Sequence, residues 1–314
     1  MPDNRLKLAE LISQLKLPSP VTELHSPLLS QRDIRLSIKR DELIHPLIQG
    51  NKWRKLKYNL QQAENRQQHR LLSFGGPWSN HLHALAAAGK MAGFETIGLI
   101  RGQQAAELNP CLQDMQDWGM QLEFLSRIDY KNRNSNTFIQ KLRQKFGDFY
   151  LIPEGGNNTP GIKGCAELLH ELPQAYDYIC CEVGTGTMLN ALIMNIKNPA
   201  TRILGFSVMK NPQLTQQITD KLAAPALNSR WQIIHRYHFS GFAKTSDQLN
   251  GFIEDFQQQY EIQLEPVYSG KMLYGLFDMI KQDFFPPGSH ILAIHGGGLQ
   301  GLRGFPQIRT GKTT

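Results

Sequence analysis

The chain has 314 residues, 40% of them hydrophobic and 19% charged, with a formal net charge of +7, which suits a soluble protein of two ordinary domains. No apolar run approaches the roughly 20 residues of a membrane helix. Residues 1–7 lack a signal-peptide core, and four cysteines without C-x-x-C spacing support neither a disulfide framework nor a metal site.

The basic residues are scattered, and no zinc-finger, helix-turn-helix or RNP pattern appears, so neither nucleic acid nor a membrane is an expected partner. A cytoplasmic setting is expected. The basic balance suits an enzyme that handles small anions.

Lys52 stands in Gly50-Asn51-Lys52-Trp53-Arg54-Lys55-Leu56, at the predicted start of a helix. Residues 71–74 read as a short buried strand, 81–91 as an Ala-rich helix ended by Gly93, and 96–100 as a strand. Asn109-Pro110 opens a helix, with Pro at its first position. Residues 121–124 form a strand, 138–146 a helix and 149–152 a strand. After Gly155-Gly156-Asn157-Asn158 the alternation resumes, with helix 164–172, strand 178–183, helix 188–196 and strand 203–208. Ile233-Ile234 belongs to a further strand, residues 247–260 and 272–282 are helices, and 291–294 is the last strand. Repeated strand–helix units with continuous apolar strands predict parallel twisted sheets flanked by helices. Ligands bind such sheets at the carboxyl ends of strands. The Gly-rich loops follow predicted strands, and the 155–161 stretch is the expected domain boundary.

Each motif has a plain structural reading beside a chemical one. Lys52 by itself reads as part of a solvated basic helix face. A lysine in a dry pocket beside other cations, however, becomes a nucleophile or a base. Gly75-Gly76-Pro77-Trp78-Ser79-Asn80-His81 is a strand-to-helix turn with Ser79 or Asn80 as cap, and the remaining N–H donors of such a turn bind anions. Gly184-Thr185-Gly186-Thr187 lets the backbone approach a phosphate, with two hydroxyls at a helix start. Leu189 stands where a dinucleotide fingerprint needs its last Gly, and Gly311-Lys312-Thr313 at the far end of the sequence opens no helix, so neither nucleotide motif is supported. His295-Gly296-Gly297-Gly298 also occurs in esterase oxyanion holes, but the chain has no G-x-S-x-G elbow. An amine, a phosphate cradle and a Ser-Asn-His loop are together what a pyridoxal phosphate (PLP) enzyme needs.

Six strings resemble one family. They are Lys39-Arg40-Asp41, Gly50-Asn51-Lys52-x-Arg54-Lys55-Leu56, Gly75-Gly76-x-x-Ser79-Asn80-His81, Pro153-Glu154-Gly155-Gly156-Asn157, Gly184-Thr185-Gly186-Thr187 and Pro266-Val267-Tyr268-x-Gly270-Lys271. Over residues 36–305 the chain resembles the 1-aminocyclopropane-1-carboxylate deaminase/D-cysteine desulfhydrase family of fold type II, tryptophan synthase β-like PLP enzymes. The resemblance implies that Lys52 carries the cofactor, Asn80 bonds its ring oxygen and residues 184–187 hold its phosphate. It also implies that Ser79 faces the substrate and that Tyr268 packs near the cofactor. Four positions depart from the family pattern. Pro77 and Trp78 stand where it has a small residue and Gln. Ala293 stands where the deaminases carry a second tyrosine, and Gly296 where the desulfhydrases have a Thr near the ring nitrogen.

The expected protein is thus a two-domain α/β enzyme. Residues 1–52 and 161–314 form a large PLP-binding domain, residues 53–160 a small inserted domain, and the cofactor lies in the cleft between them. Lys52, Ser79 and Tyr268 are the expected catalytic residues, and Trp78, Ser79, Asn80 and His81 the expected substrate contacts, with no metal. The expected reaction turns a small, D-cysteine-like amino acid into a 2-oxo acid and ammonia, in a homodimer. The alternatives are 1-aminocyclopropane-1-carboxylate deamination and a low-turnover PLP-binding protein.

Overall fold

The computed structural model describes residues 4–220, 222 and 230–308, so Met1-Pro2-Asp3 and Gly311-Lys312-Thr313 lie outside the described residues. The described strands are β1 (Val21–Leu24), β2 (Arg35–Lys39), β3 (Arg70–Gly75), β4 (Glu95–Arg101), β5 (Met120–Leu125), β6 (Tyr150–Leu151), β7 (Tyr178–Val183), β8 (Arg202–Ser207), β9 (Trp231–Ile234) and β10 (His290–Ile294). The chain divides into two compact units. The smaller sheet's unit holds residues up to Lys16 together with His45–Gly164, and the larger sheet's unit holds Leu17–Ile44 with the described residues from Cys165 on.

In the first unit an all-parallel sheet has the order β5-β4-β3-β6. Helix Asn51–Asn65 forms because Trp53, Leu56, Leu60 and Ala63, at intervals of three and four residues, fall on one face and are all buried. Helix Asn80–Ala92 packs on β3 and β4 and also on helices Asn4–Ser13 and Pro110–Asp117. That many-sided burial explains its run of alanines, and Gly93 closes it in the left-handed conformation, with φ 77°. The expected division at 52/53 would cut helix Asn51–Asn65 in two. The structure instead keeps that helix and helix Asn4–Ser13 in the smaller sheet's unit, where Leu8 and Leu11 are buried.

In the second unit the order is β1-β2-β10-β7-β8-β9, with β1 antiparallel to β2 and the other neighbours parallel. β10 is buried along its whole length, as a central strand covered on both faces requires. The loops after β7 and β10, residues 184–187 and 295–298, therefore leave the same edge of the sheet from adjacent strands. Lys39 ends β2 fully buried; its ammonium pairs with Glu171 at 2.7 Å and donates to the Ser19 carbonyl at 2.5 Å. Ser19 Oγ in turn donates to Asp41 at 2.6 Å, so Lys39-Arg40-Asp41 is part of an internal charge cluster of this unit. The helix expected at 164–172 begins earlier, at Thr159, and gives way after Ala166 to a 3-10 turn over Glu167–Glu171.

Candidate active site

The first unit gathers Lys52, Trp78, Ser79, Asn80 and His81. Lys52 lies in the first turn of its helix, half-buried, and its ammonium donates to the Asn51 carboxamide oxygen. Ser79 caps helix Asn80–Ala92, its Oγ accepting the Leu82 N–H at 3.2 Å. A Cβ on Gly75 would lie 2.4 Å from that Oγ, so only glycine fits at the end of β3. Asn109 braces the same turn. Its amide donates to the Pro77 carbonyl at 3.1 Å, while its oxygen accepts Leu112 N–H at 2.9 Å. Trp78 is 38% exposed at the tip.

His81 points inward. It is 4% exposed and its Nε2 shares a hydrogen bond with Ser73 Oγ at 2.9 Å. Burial first, then the Lys55 and Lys52 cations, push its pKa down to about 3, so the ring is neutral. The 153–158 loop packs against the Lys52 helix. Asn158 donates to Asn59 Oδ1 at 2.8 Å, and Asn59 donates to the Lys55 carbonyl at 2.7 Å.

The second unit gathers residues 184–187, Tyr268 and the 295–298 loop. Gly186, at φ 83°, caps helix Thr187–Asn195, and a Cβ there would lie 2.4 Å from Ile218 Cδ1. Thr187 is 1% exposed, and its hydroxyl lies 3.0 Å from that of Thr185. A Cβ on Gly184 would sit 3.3 Å from Tyr268 Cε1, so the loop runs directly beside the phenol ring. Tyr268 is held from behind by Glu265. That buried carboxylate accepts the N–H groups of Val267, Tyr268 and Ser269 at 2.8, 2.7 and 2.7 Å, capping helix Ser269–Lys281. Burial raises the Glu265 pKa while those backbone donors and His295 oppose the rise. Two residues further along from Ser269, Lys271 donates to the carbonyls of Val208, His238 and Gly241 at 3.3, 3.0 and 2.8 Å. Burial pushes its pKa down to about 8. The lysine thereby ties down the loop whose Phe242 meets Tyr268 edge-on, ring centres 5.9 Å apart. His295 is wholly buried and spends both ring nitrogens on the backbone. Nε2 meets the Gln263 carbonyl at 2.8 Å and Nδ1 accepts Gly297 N–H at 3.2 Å, so it holds the loop and is no esterase base.

The residues present fit pyridoxal phosphate. Two glycines leave room where a Cβ would close the loop, and two hydroxyls stand at the start of a nine-residue helix, a cradle for a dianion. Lys52 supplies an amine and Ser79 a hydroxyl at a second helix start. Sequence reasoning missed Asn109, Glu265 and Lys271 as positioning groups. No standard signal marks Glu265, because the capping box places its carboxylate three residues after the Ser, and Glu265 precedes Ser269 by four. Nothing local marks the burial of Lys271, because its three acceptors come from distant loops. Among the described residues no group of three or more His, Cys, Asp or Glu side chains is placed to hold a metal, and no helix is long and apolar enough to cross a membrane.

A profile of the family described as pyridoxal-phosphate dependent enzyme matches residues 12–297. A mitochondrial bifunctional D-cysteine desulfhydrase/1-aminocyclopropane-1-carboxylate deaminase of Arabidopsis thaliana is 29% identical, the match covering 91% of this chain and 77% of the relative. A putative 1-aminocyclopropane-1-carboxylate deaminase of Pyrococcus horikoshii is 27% identical over 84% of each chain. The crystal structure of an ACC deaminase homologue matches with a TM-score of 0.77 at 26% identity, covering 96% of each chain. The processed form of threonine deaminase isoform 2 from Solanum lycopersicum shares the fold, with a TM-score of 0.65 at 17% identity over 97% of this chain and 92% of that one. The chain belongs to the pyridoxal-phosphate dependent enzymes of fold type II, with the 1-aminocyclopropane-1-carboxylate deaminase/D-cysteine desulfhydrase family as its homologues.

Proposed function

We propose that this enzyme eliminates the β leaving group, sulfide in the case of D-cysteine, from a small, D-cysteine-like amino acid and, with one water consumed, releases a 2-oxo acid and ammonia, with Lys52 as the residue that carries pyridoxal phosphate. The cofactor, when bound, supplies the electron sink for negative charge at the substrate Cα. Lys52 is the base that takes the Cα proton, and its place at a helix start beside Asn51 fixes where that amine can reach. Ser79 uses its oxygen to accept Leu82 N–H, which leaves its proton to donate to the substrate carboxylate. Asn80 is assigned to the cofactor ring oxygen, and Gly184, Thr185, Gly186 and Thr187 to its phosphate. Trp78 forms a wall of the substrate pocket. Buried and neutral, His81 serves this loop from behind by fixing it to Ser73. The Tyr268 phenol, steadied by Glu265 and Phe242, faces the leaving group.

The observation that carries elimination over ring opening is Ala293. Where the deaminases carry a second tyrosine, this chain has a methyl group, fully buried in the core of the β10 sheet. Ring opening of 1-aminocyclopropane-1-carboxylate has no Cα proton to remove and asks for an acid, base or nucleophile at a ring carbon. One missing positioned group of that kind costs about 10²–10⁴ in rate. Pyruvate release from D-cysteine or 3-chloro-D-alanine should therefore exceed 2-oxobutanoate release from the cyclopropane under identical conditions. Faster 2-oxobutanoate formation would overturn the assignment.

A further inference from the structure

A cavity of about 620 Å³ opens in the first unit, lined by residues that follow the carboxyl ends of β4, β5 and β6. Arg101 is the last residue of β4, and Arg127 and Lys131 are the two ends of the short helix Arg127–Lys131 after β5. Tyr130 forms a buried aromatic wall, and Glu154, after β6, is the carboxylate among the lining residues. Glu154 is already committed. Arg133 pairs with it at 2.9 Å, and the Tyr130 hydroxyl donates to it at 2.7 Å. Burial and the Glu154 charge raise the Tyr130 pKa, which keeps the phenol a donor. Arg101 and Arg133 lie over the Tyr130 ring, 5.7 and 4.9 Å from its centre.

Among the described residues, no carboxylate stands within salt-bridge distance of Arg101, Arg127 or Lys131. Three cations with no carboxylate partner among the described residues thus surround one concavity of ligand size, at the sheet edge where α/β folds bind ligands. Planar guanidinium groups select phosphate and carboxylate geometry. The pocket adjoins the Ser79 turn, since Arg101 Nη2 lies 4.0 Å from where a Cβ on Gly76 would be, but Lys52 and Ser79 do not line it.

We propose that this pocket binds a small polyanion, a group bearing linked phosphates or several carboxylates. The proposal does not rest on the reaction proposed above. The test is calorimetric titration of PLP-saturated protein with inorganic pyrophosphate and with citrate. The expected result is saturable binding of at least one probe, weakened about tenfold or more in Arg101→Ala/Arg127→Ala. Arg101→Lys/Arg127→Lys should retain an intermediate affinity, since charge remains but the fork is lost. Arg101 and Arg127 are exposed, so the variants should fold, and an unchanged cofactor absorbance checks this without reference to turnover. Competitive inhibition by the probe would mark the anionic group as part of a substrate, and binding without change in KM would mark a separate ligand; both support the pocket. Absence of saturable binding to the wild type, or equal binding to the alanine variant, overturns it.

Discussion

His81 follows Ser79 and Asn80 directly, but Ser79 is the cap of the helix and one helical step turns His81 about 100° from Asn80. The structure turns His81 into the core against Ser73, and its neutral state follows from burial beside two lysines. This has a measurable consequence. Its pKa is about 3 in the fold, against an ordinary 6.5, so unfolding takes up a proton between those values. The stabilising contribution is fully present above pH 6.5 and is lost as pH falls toward 3. His81→Gln, which keeps a hydrogen-bonding group for Ser73, should remove about one proton from that dependence, roughly 1.4 kcal/mol per pH unit across the window. Denaturation midpoints of both proteins from pH 7 to 4 test this, and parallel curves would refute it. The sequence showed the His-bearing turn but not the direction of the ring, which depends on packing against β3.

At the scale of elements, the 184–187 loop and the helix it opens form the phosphate cradle of the proposed site. Replacing both hydroxyls, in Thr185→Val/Thr187→Val, should weaken PLP binding by about 1–3 kcal/mol, the size of one or two hydrogen bonds to a charged acceptor. Unchanged cofactor affinity would mean that the phosphate is held elsewhere. This loop was legible because glycines, threonines and a preceding apolar run are local signals, and strand β7 occupies residues Tyr178–Val183 as expected. Strands β1 and β2 were not legible. β2 ends on Lys39, a charged residue whose burial depends on Glu171, and its neighbour β10 is remote in sequence. The start of the helix at Thr159 was hidden for a related reason. Gly164 lies inside that helix because backbone must pass close to the Arg54 carbonyl, 1.9 Å from where its Cβ would be, whereas a glycine by itself reads as a boundary.

For the whole molecule, alternating strands and helices gave the two parallel-rich sheets, and parallel pairing explains why the motif-bearing loops emerge at strand carboxyl ends. The division of the chain was less legible. A cut at Lys52 runs through a continuous helix, and the packing of helix Asn4–Ser13 on helix Asn80–Ala92 cannot be read from either segment alone. The basic pocket was hidden as well, since Arg101, Arg127 and Lys131 look like scattered surface charge until the sheet brings their strand ends together. The proposed chemistry depends on Lys52. The purified protein, supplied with PLP, should be yellow, and borohydride reduction followed by peptide mass mapping should place the cofactor on Lys52. An adduct on any other lysine, or a colourless protein that PLP does not restore, would contradict the central claim.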